Sequence, residues 1–362
     1  MRTKVVLVLT FLLFSIFNTQ ASTQKVLYTF TGGIDGGNPW QMGVIFDQSG
    51  NLYGVTEYGG AYNLGTVFQL TPTPSGEWTE TVLHSFNGGT DGLWPQGGLA
   101  TDGAGNLYGT TSQAGDPNTG CGTVFALSPS QSGWTYTILH TFTGGKDGCS
   151  PQADLSNFGE LYGTTAGMGC GQQGTAFQLT GGYWVHCFAG ANGMYPGGLG
   201  VCGTAGQNHG ANVCGTSWLG GVHRLGNLWF LYPWSKSPRN LHSFSEQDKL
   251  GFSPSGNLAS QTNECDAGGI VYGTTSMGGT GNFGTVYQFV LKPNRYYGCH
   301  WTSSVLHAFP PSGWDGGSPV AGVALDAAGN LYGTTRYGPV GHGGTVFMLT
   351  PGSEQMDRNG AV

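Results

Sequence analysis

Charged side chains are scarce in this chain: Asp, Glu, Lys and Arg supply 9% of 362 residues, where an ordinary soluble domain carries about a quarter. Uninterrupted segments are scarce as well. With 68 Gly and 17 Pro, almost no stretch of about twelve residues beyond the N-terminal segment is free of both. Helical bundles and doubly wound α/β enzymes depend on such stretches and are excluded. No basic run occurs, and once Arg2 and Lys4 are set aside 10 basic residues face 19 acidic ones, a net charge of −9. That balance argues against nucleic acid and against anionic membrane surfaces as partners. The glycines follow no three-residue period, which excludes collagen, and an aromatic content of 12% excludes a disordered chain. What remains is an all-β protein built from short strands and many turns.

Residues 1–21 have the form of a signal peptide, with Arg2 and Lys4, an apolar run from Val5 to Phe17, and the small-residue site Thr19-Gln20-Ala21. The apolar run is too short to span a bilayer and no second one follows, so no transmembrane segment is expected after cleavage. The expected location is extracellular or in the cell envelope. Eight cysteines suit an oxidising compartment, and none forms a C-x-x-C pair or a zinc spacing.

Internal repetition dominates the rest. Gly50-Asn51-Leu52-Tyr53-Gly54-Val55-Thr56 returns as 105–111, 159–165, 269–275 and 329–335, with a decayed copy around Asn212-Val213-Cys214-Gly215-Thr216-Ser217. Successive copies lie 52 to 60 residues apart. Each unit carries four strand signals separated by Gly, Asn or Asp, and Asp47-x-x-Gly50, Asp102-x-x-Gly105 and Asp326-x-x-Gly329 are tight-turn signatures. Six such units predict a six-bladed β-propeller of four antiparallel strands per blade, spanning 22–351, with a short tail at 352–362. The last unit lacks a fourth strand, while Val26-Leu27-Tyr28-Thr29-Phe30 is an orphan fourth strand at the start. The N-terminal strand is therefore expected to complete the last blade and close the ring, removing an exposed edge.

The pattern Gly-Asn-Leu-Tyr-Gly-Thr-Thr followed by Gly-Thr-Val-Phe resembles the GloVer tandem repeat of secreted bacterial proteins, over roughly Val26 to Pro351. The stretch Pro95-x-x-Gly98 to Tyr108 is also similar to NHL-type propeller blades, a likeness that implies the strand ending at Asp102 is innermost. The GloVer resemblance implies an extracellular protein and carries no activity with it.

Two rings of polar residues follow the repeat. His84, His140, His186, His242 and His307, with Tyr28 in the first copy, occupy one position on the outermost strand. Blades splay apart with radius, so these imidazoles are expected to hydrogen-bond a turn or a neighbouring blade rather than converge on zinc. Asp35, Asp91, Asp147, Asp248 and Asp315, with Asn192, sit in the loops after the fourth strands, which read Gly-Gly-x-Asp-Gly at Asp35, Asp91 and Asp147. A turn role is the main expectation for them and calcium the alternative; no other cofactor is implied. Residues that break the repeat say more about function. Glu57 and Tyr58 in the first blade and Arg336 and Tyr337 in the sixth occupy equivalent loops, and in a closed ring they are expected to share one mouth of the channel. Aromatic faces beside a few polar groups suit a sugar or peptide. Trp218 lies in the aromatic, degenerate fourth unit, which is expected to have drifted while packing its tryptophans internally, with a binding patch as the alternative. Cys202 and Cys214, with Cys187, gather in that unit as disulfide candidates, and Cys265 and Cys299 are expected to pair at one end of the fifth. Cys121, Cys149 and Cys170 fall in loops of the opposite face.

No nucleophile elbow, zincin motif or phosphate loop is present. The expected function is a secreted, non-catalytic propeller that binds an extracellular carbohydrate or protein. The alternatives are an extracytoplasmic enzyme of lyase, hydrolase or lactonase type with a site in the central channel, and a purely structural envelope protein.

Overall fold

Glycine and threonine in the repeat have complementary jobs in the computed structural model, which describes residues 27–39, 44–157, 159–169, 172–179, 184–204, 211–231, 238–261, 269–294, 298–310, 316–326, 328–337 and 343–350. The Gly of each Leu-Tyr-Gly-Thr-Thr copy pairs across the sheet with the aromatic of the next strand, as in Gly54 with Phe68 and Gly109 with Phe125. A Cβ at Gly54 would stand 2.6 Å from the Phe68 ring, so only glycine lets the ring lie flat over the backbone. The Thr closing each copy meets the Thr opening the next strand in a buried hydroxyl pair: Thr56 with Thr66, Thr111 with Thr123, Thr165 with Thr175, Thr275 with Thr285.

Six antiparallel sheets result. Blade one holds β1 (Ile45–Phe46), β2 (Leu52–Thr56), β3 (Thr66–Pro72) and β4 (Trp78–Ser85). Blade two holds β5 (Ala100–Thr101), β6 (Leu107–Thr111), β7 (Thr123–Ser130) and β8 (Gly133–Thr141). Blade three holds β9 (Ser156–Asn157), β10 (Leu161–Thr165), β11 (Thr175–Gln178) and β12 (Trp184–Cys187). Blade four holds β13 (Met194–Thr204), β14 (Ala211–Leu219), β15 (Asn227–Leu231) and β16 (Arg239–Ser243), and blade five β17 (Phe252–Gln261), β18 (Ile270–Met277), β19 (Thr285–Asn294) and β20 (Gly298–Ala308). Blade six holds β21 (Ala324–Leu325), β22 (Leu331–Tyr337) and β23 (Gly343–Leu349). In each the strands are hydrogen-bonded in sequence order. The chain is thus an all-β, six-bladed propeller. Its second strands, such as β2 and β10, are buried on both faces because each is sandwiched between adjacent blades, whereas β8 alternates as an outer strand should.

The core is a series of wedges between blades, each centred on an aromatic pair. Phe86 meets Phe125 at 5.3 Å, Phe142 meets Phe177 at 5.2 Å, Phe188 meets Trp229 at 5.3 Å, Phe244 meets Tyr287 at 5.5 Å and Phe309 meets Phe347 at 5.4 Å. Phe30 meets Phe68 at 4.9 Å in the same way, so the N-terminal segment takes the station of a fourth strand against blade one. Leu27, Tyr28 and Phe30 cover Leu52, Phe68 and Leu70.

The expected closing strand, Val26–Phe30, lies partly outside the described residues. Residues 27–31 have no strand conformation, and blade six has three strands among the described residues. At the junction between blades six and one, some described residues are more exposed than their counterparts elsewhere. Leu99, Leu155, Leu199, Leu258 and Val323 are 2–7% exposed at the other junctions, and their counterpart Val44 is 48% exposed. Thr334 is exposed where Thr110, Thr164, Thr216 and Thr274 are buried.

Beneath the N-terminal segment lies Glu80, whose buried Oε1 has no hydrogen-bond partner among the described residues. Burial, then the charge of Asp35, pushes its carboxyl up from 4.5 to about 7. Between those values the folded chain holds a proton that the unfolded chain has released, so stability falls as pH rises through that window. Midpoints measured from pH 4.5 to 7.5 should decline, and Glu80→Gln should flatten the decline; an identical slope in the variant would place the pH dependence elsewhere.

Candidate functional site

The two polar rings of the sequence are one device. His84 bonds Asp91 at 3.1 Å, His140 bonds Asp147 at 3.3 Å, and His242 bonds Asp248. Tyr28 donates to Asp35 at 3.1 Å in the copy without a histidine, and His186 pairs with Asn192 at 3.3 Å in the copy without an aspartate. Each Asp also closes its own turn, as where Thr143 donates to Asp147 through both N and Oγ1. Burial lowers the affinity of His84 for a proton, against the pull of Asp91. Among the described residues these carboxylates belong to no group of three or more His, Cys, Asp or Glu side chains that could hold a metal. Asp315, the last of the ring, lies outside the described residues. A third repeated carboxylate is committed just as fully: Asp102 accepts from Ala104 N, Asn106 N, Asn106 Nδ2 and Tyr108 Oη, and Asp47 and Asp326 repeat the arrangement.

A different pair of positions varies from blade to blade. One is the residue before the proline that leads into each innermost strand: Asn38, Trp94, Ser150, Tyr195, Ser253 and Ser318. All six have φ between 50° and 57°, a left-handed conformation uncommon outside glycine. The backbone is held there from two sides. Trp94 N donates to Leu64 O of the preceding blade at 3.0 Å, and Ser150 N, Tyr195 N, Ser253 N and Ser318 N do the same. The carbonyls of Asn38, Trp94, Ser150 and Ser318 accept from Glu57, Ser112, Ala166 and Arg336. Those donors occupy the second position, the residue after each Thr-Thr. The register sets the two positions opposite one another as Asn38/Glu57, Trp94/Ser112, Ser150/Ala166, Tyr195/Trp218, Ser253/Ser276 and Ser318/Arg336. A repeated backbone therefore places twelve side chains of varied chemistry at equivalent stations, with Tyr195, Trp218 and Arg336 among the exposed ones and Glu57, Ser112, Ser253 and Ser276 buried.

Among the described residues, the four residues expected to share a mouth make their contacts separately, Glu57 and Tyr58 with blades one and two, Arg336 and Tyr337 within blade six. Glu57 is 4% exposed and accepts from Asn38 Nδ2 at 2.7 Å and from Gln96 Nε2 of blade two at 2.8 Å. Tyr58 packs edge-on against Trp94 at 6.2 Å. Arg336 lies over the ring of Tyr337 at 5.6 Å within blade six. Among the described residues no hydrogen bond, ion pair or ring contact joins Glu57 or Tyr58 to Arg336 or Tyr337. Trp218 is exposed in blade four, as a binding residue must be.

The axis itself holds residues that sequence reasoning missed. One position before the buried Leu or Val of each innermost strand, the register aligns Gly98, Asp154, Gly198, Asn257 and Gly322. Asp154 reaches blade two through Gly98 N at 2.5 Å and blade five through Asn257 Nδ2 at 2.7 Å, while Asn257 Oδ1 accepts from Leu199 N of blade four at 3.1 Å. Blades three and five are not neighbours, so only the axis lets them touch. Burial raises the Asp154 carboxyl, against the two donors that pull it down. The signal was present in the sequence: Asp154 and Asn257 interrupt a column of glycines. A separate cleft of about 220 Å³ lies between blades one and two, lined by Phe46, Asp47, Tyr53, Thr101 and Trp134 among others.

Among the cysteines, Cys202 is bonded to Cys214, spanning β13 and β14, and Cys121 to Cys149, which ties the loops of blades two and three. Cys265 lies outside the described residues, so the pairing with Cys299 does too. No group of three or more potential metal ligands occurs among the described residues, and none of their helices is long and apolar enough to cross a membrane.

Fold and repeat define a six-bladed propeller assembled from tandem copies of one blade motif. The chain belongs to the family described as the Gloeobacter/Verrucomicrobia repeat, which it matches over residues 12–212 and again over 156–359. No curated protein matches it. Among solved structures it is similar to a protein described as an oxidoreductase (glucose dehydrogenase) from Thermus thermophilus, at 15% identity and a TM-score of 0.50, over 87% of this chain and 98% of that one. A protein described as a 6-phosphogluconolactonase, from Bacteroides uniformis, aligns at 13% identity and a TM-score of 0.47, over 82% of each chain. An endo-arabinase from Bacteroides thetaiotaomicron aligns at 14% identity and a TM-score of 0.37, over 71% of this chain and 93% of that one. At such identities the first likeness speaks for the fold alone.

Proposed function

We propose that this chain is an extracytoplasmic, non-catalytic binding propeller that takes a carbohydrate or a protein on the face carrying the six variable pairs. One observation carries the reading. Nearly every repeated polar group is consumed by the scaffold, while Tyr58, Tyr195, Trp218 and Tyr337, 39–51% exposed, stand at or beside the variable positions. Exposed aromatics on a rigid backbone give contact area at little entropic cost, which is what a binding face needs. The disulfides suit an oxidising compartment.

A thermal-shift screen tests this. Ligands that bind the folded state raise the midpoint with the logarithm of concentration over affinity. Oligosaccharides or envelope extracts should raise it, and Tyr58→Ala with Tyr337→Ala should weaken a protein partner that spans the face. Silence towards saccharides and towards native envelope proteins alike would sink the proposal and favour a structural role.

A second reading, an enzyme at the axis, draws on Asp154, an unrepeated carboxylate with a raised affinity for its proton beside Asn257. Turnover of a sugar lactone or glycoside that Asp154→Asn abolishes would favour it.

A further inference from the structure

We infer that Tyr195 and Trp218 of blade four form the platform for a neutral oligosaccharide; the inference rests on the binding reading above and narrows it to one blade and one ligand class. Met194 pairs with Leu219 and Pro196 with Ser217, so Tyr195 stands opposite Trp218. They are 39% and 46% exposed. Of the six variable pairs this alone is aromatic at both members.

The scaffold does not require these rings. Ser150 with Ala166, and Ser253 with Ser276, fill the same register in blades three and five. Tyr195 even holds φ 53°, a conformation that a bulky side chain adopts against its preference. The core of blade four draws its aromatics from other positions, Phe188 and Trp229. Trp94, the other aromatic in the ring, is occupied by Tyr58, whereas neither Tyr195 nor Trp218 has a ring contact of its own among the described residues.

Ligand class follows from the chemistry of the pair. The C–H face of a pyranose stacks on an aromatic ring, and its hydroxyls need partners at the edge. Tyr195 Oη and Trp218 Nε1 form no hydrogen bond among the described residues, so both are open to those hydroxyls. Charge is nearly absent from the twelve positions. Glu57 is tied to two amides, and Arg336 belongs to blade six, two blades away. Five serines and an asparagine make up most of the remainder. His223 and Arg224, in the loop after β14, are the basic groups that follow Trp218 most directly in the same blade, which makes an acidic sugar the competing outcome.

The experiment uses the full chain and four probes: cellohexaose, xylohexaose, mannohexaose and a polygalacturonate hexamer. Affinity is read by calorimetry and by tryptophan fluorescence. The variants are Tyr195→Ser and Trp218→Ser, residues that sister blades already carry at those stations, so folding should survive and an unchanged melting midpoint verifies it. A neutral hexaose should bind, each variant should weaken it at least tenfold, and the fluorescence change should vanish in Trp218→Ser. Unchanged affinity in both variants, with loss in Tyr58→Ala and Tyr337→Ala, would overturn the platform and leave the binding reading standing. Tighter binding of the polygalacturonate overturns the neutral class. No saccharide binding at all overturns the inference outright, and capture of an envelope protein by the same chain would then show that the broader reading survives it.

Discussion

A chain beginning at Gly32 should lose about 5 kcal/mol of stability, with a fall of about 10 °C in its unfolding midpoint. Leu27, Tyr28 and Phe30 are what cover Leu52, Phe68 and Leu70, and uncovering three core side chains costs about 1.5–3 kcal/mol each before relaxation. The first Gly-Gly-x-Asp-Gly loop loses its lock in the same truncation. Asp35 accepts from Thr31 N at 2.8 Å, Thr31 Oγ1 at 2.6 Å and Tyr28 Oη at 3.1 Å, and all three donors would be gone. Calorimetry of the truncated chain against the intact one checks this. A midpoint within a degree or two of the intact protein would mean that the N-terminal segment is dispensable and that the face of blade one stands on its own. Phe30→Ala, retaining the backbone and the Asp35 lock, should give a smaller fall and separates packing from turn locking.

Asp154→Ala should be the most costly single change on the axis, about 2–4 kcal/mol. The substitution strands Gly98 N and Asn257 Nδ2, two donors from different blades, in a place where inner strands approach so closely that a Cβ at Gly198 would fall on the Gly256 carbonyl. A buried donor without an acceptor costs about 1–3 kcal/mol. Asp154→Asn keeps the shape, and its carbonyl can satisfy one donor, so it should recover roughly half of the loss. Chemical denaturation of the three proteins decides. If alanine is tolerated at no cost, water fills the axis and the Asp154–Asn257 bond is incidental. The sign of any pH dependence here matches that of Glu80: the raised carboxyl favours the fold below its unfolded-state value, and that contribution fades as pH climbs through the folded-state value.

Much of this architecture is legible in the chain before its fold is known. The Tyr53–Tyr332 spacing counts the blades, and Asp102-x-x-Gly105 marks a turn whose every hydrogen bond is implied by the Asn106 and Tyr108 that follow. The His and Asp rings are legible separately but not as partners, although His84/Asp91, His140/Asp147 and Tyr28/Asp35 share one offset of seven residues. His186/Asn192 and His242/Asp248 follow at six; so narrow a range of offsets is a sequence observable, and hydrogen bonding across a turn is its physical meaning. Asp154 and Asn257 stay hidden because innermost strands are short. β5 and β9 have two residues each, too few to show periodicity, so their glycine column aligns only through the pairing register. The contacts that Glu57, Tyr58, Arg336 and Tyr337 make are hidden for a different reason. Sequence order makes blades one and six neighbours, but adjacency in order buries a junction only when both faces are covered, and Val44 and Thr334 are not.

The left-handed residue before each proline has a consequence for how such a protein diversifies. Its backbone is anchored by main-chain bonds to the blade before it and to the strand beside it, so the side chain it carries is uncoupled from folding. Asn, Trp, Ser and Tyr already share that one geometry within a single chain. Recombination between gene segments encoding neighbouring blades would transplant a whole pair of display residues in register, leaving each wedge of phenylalanines intact. Specificity can then be reshuffled blade by blade, as a cassette, without revisiting the problem of stability.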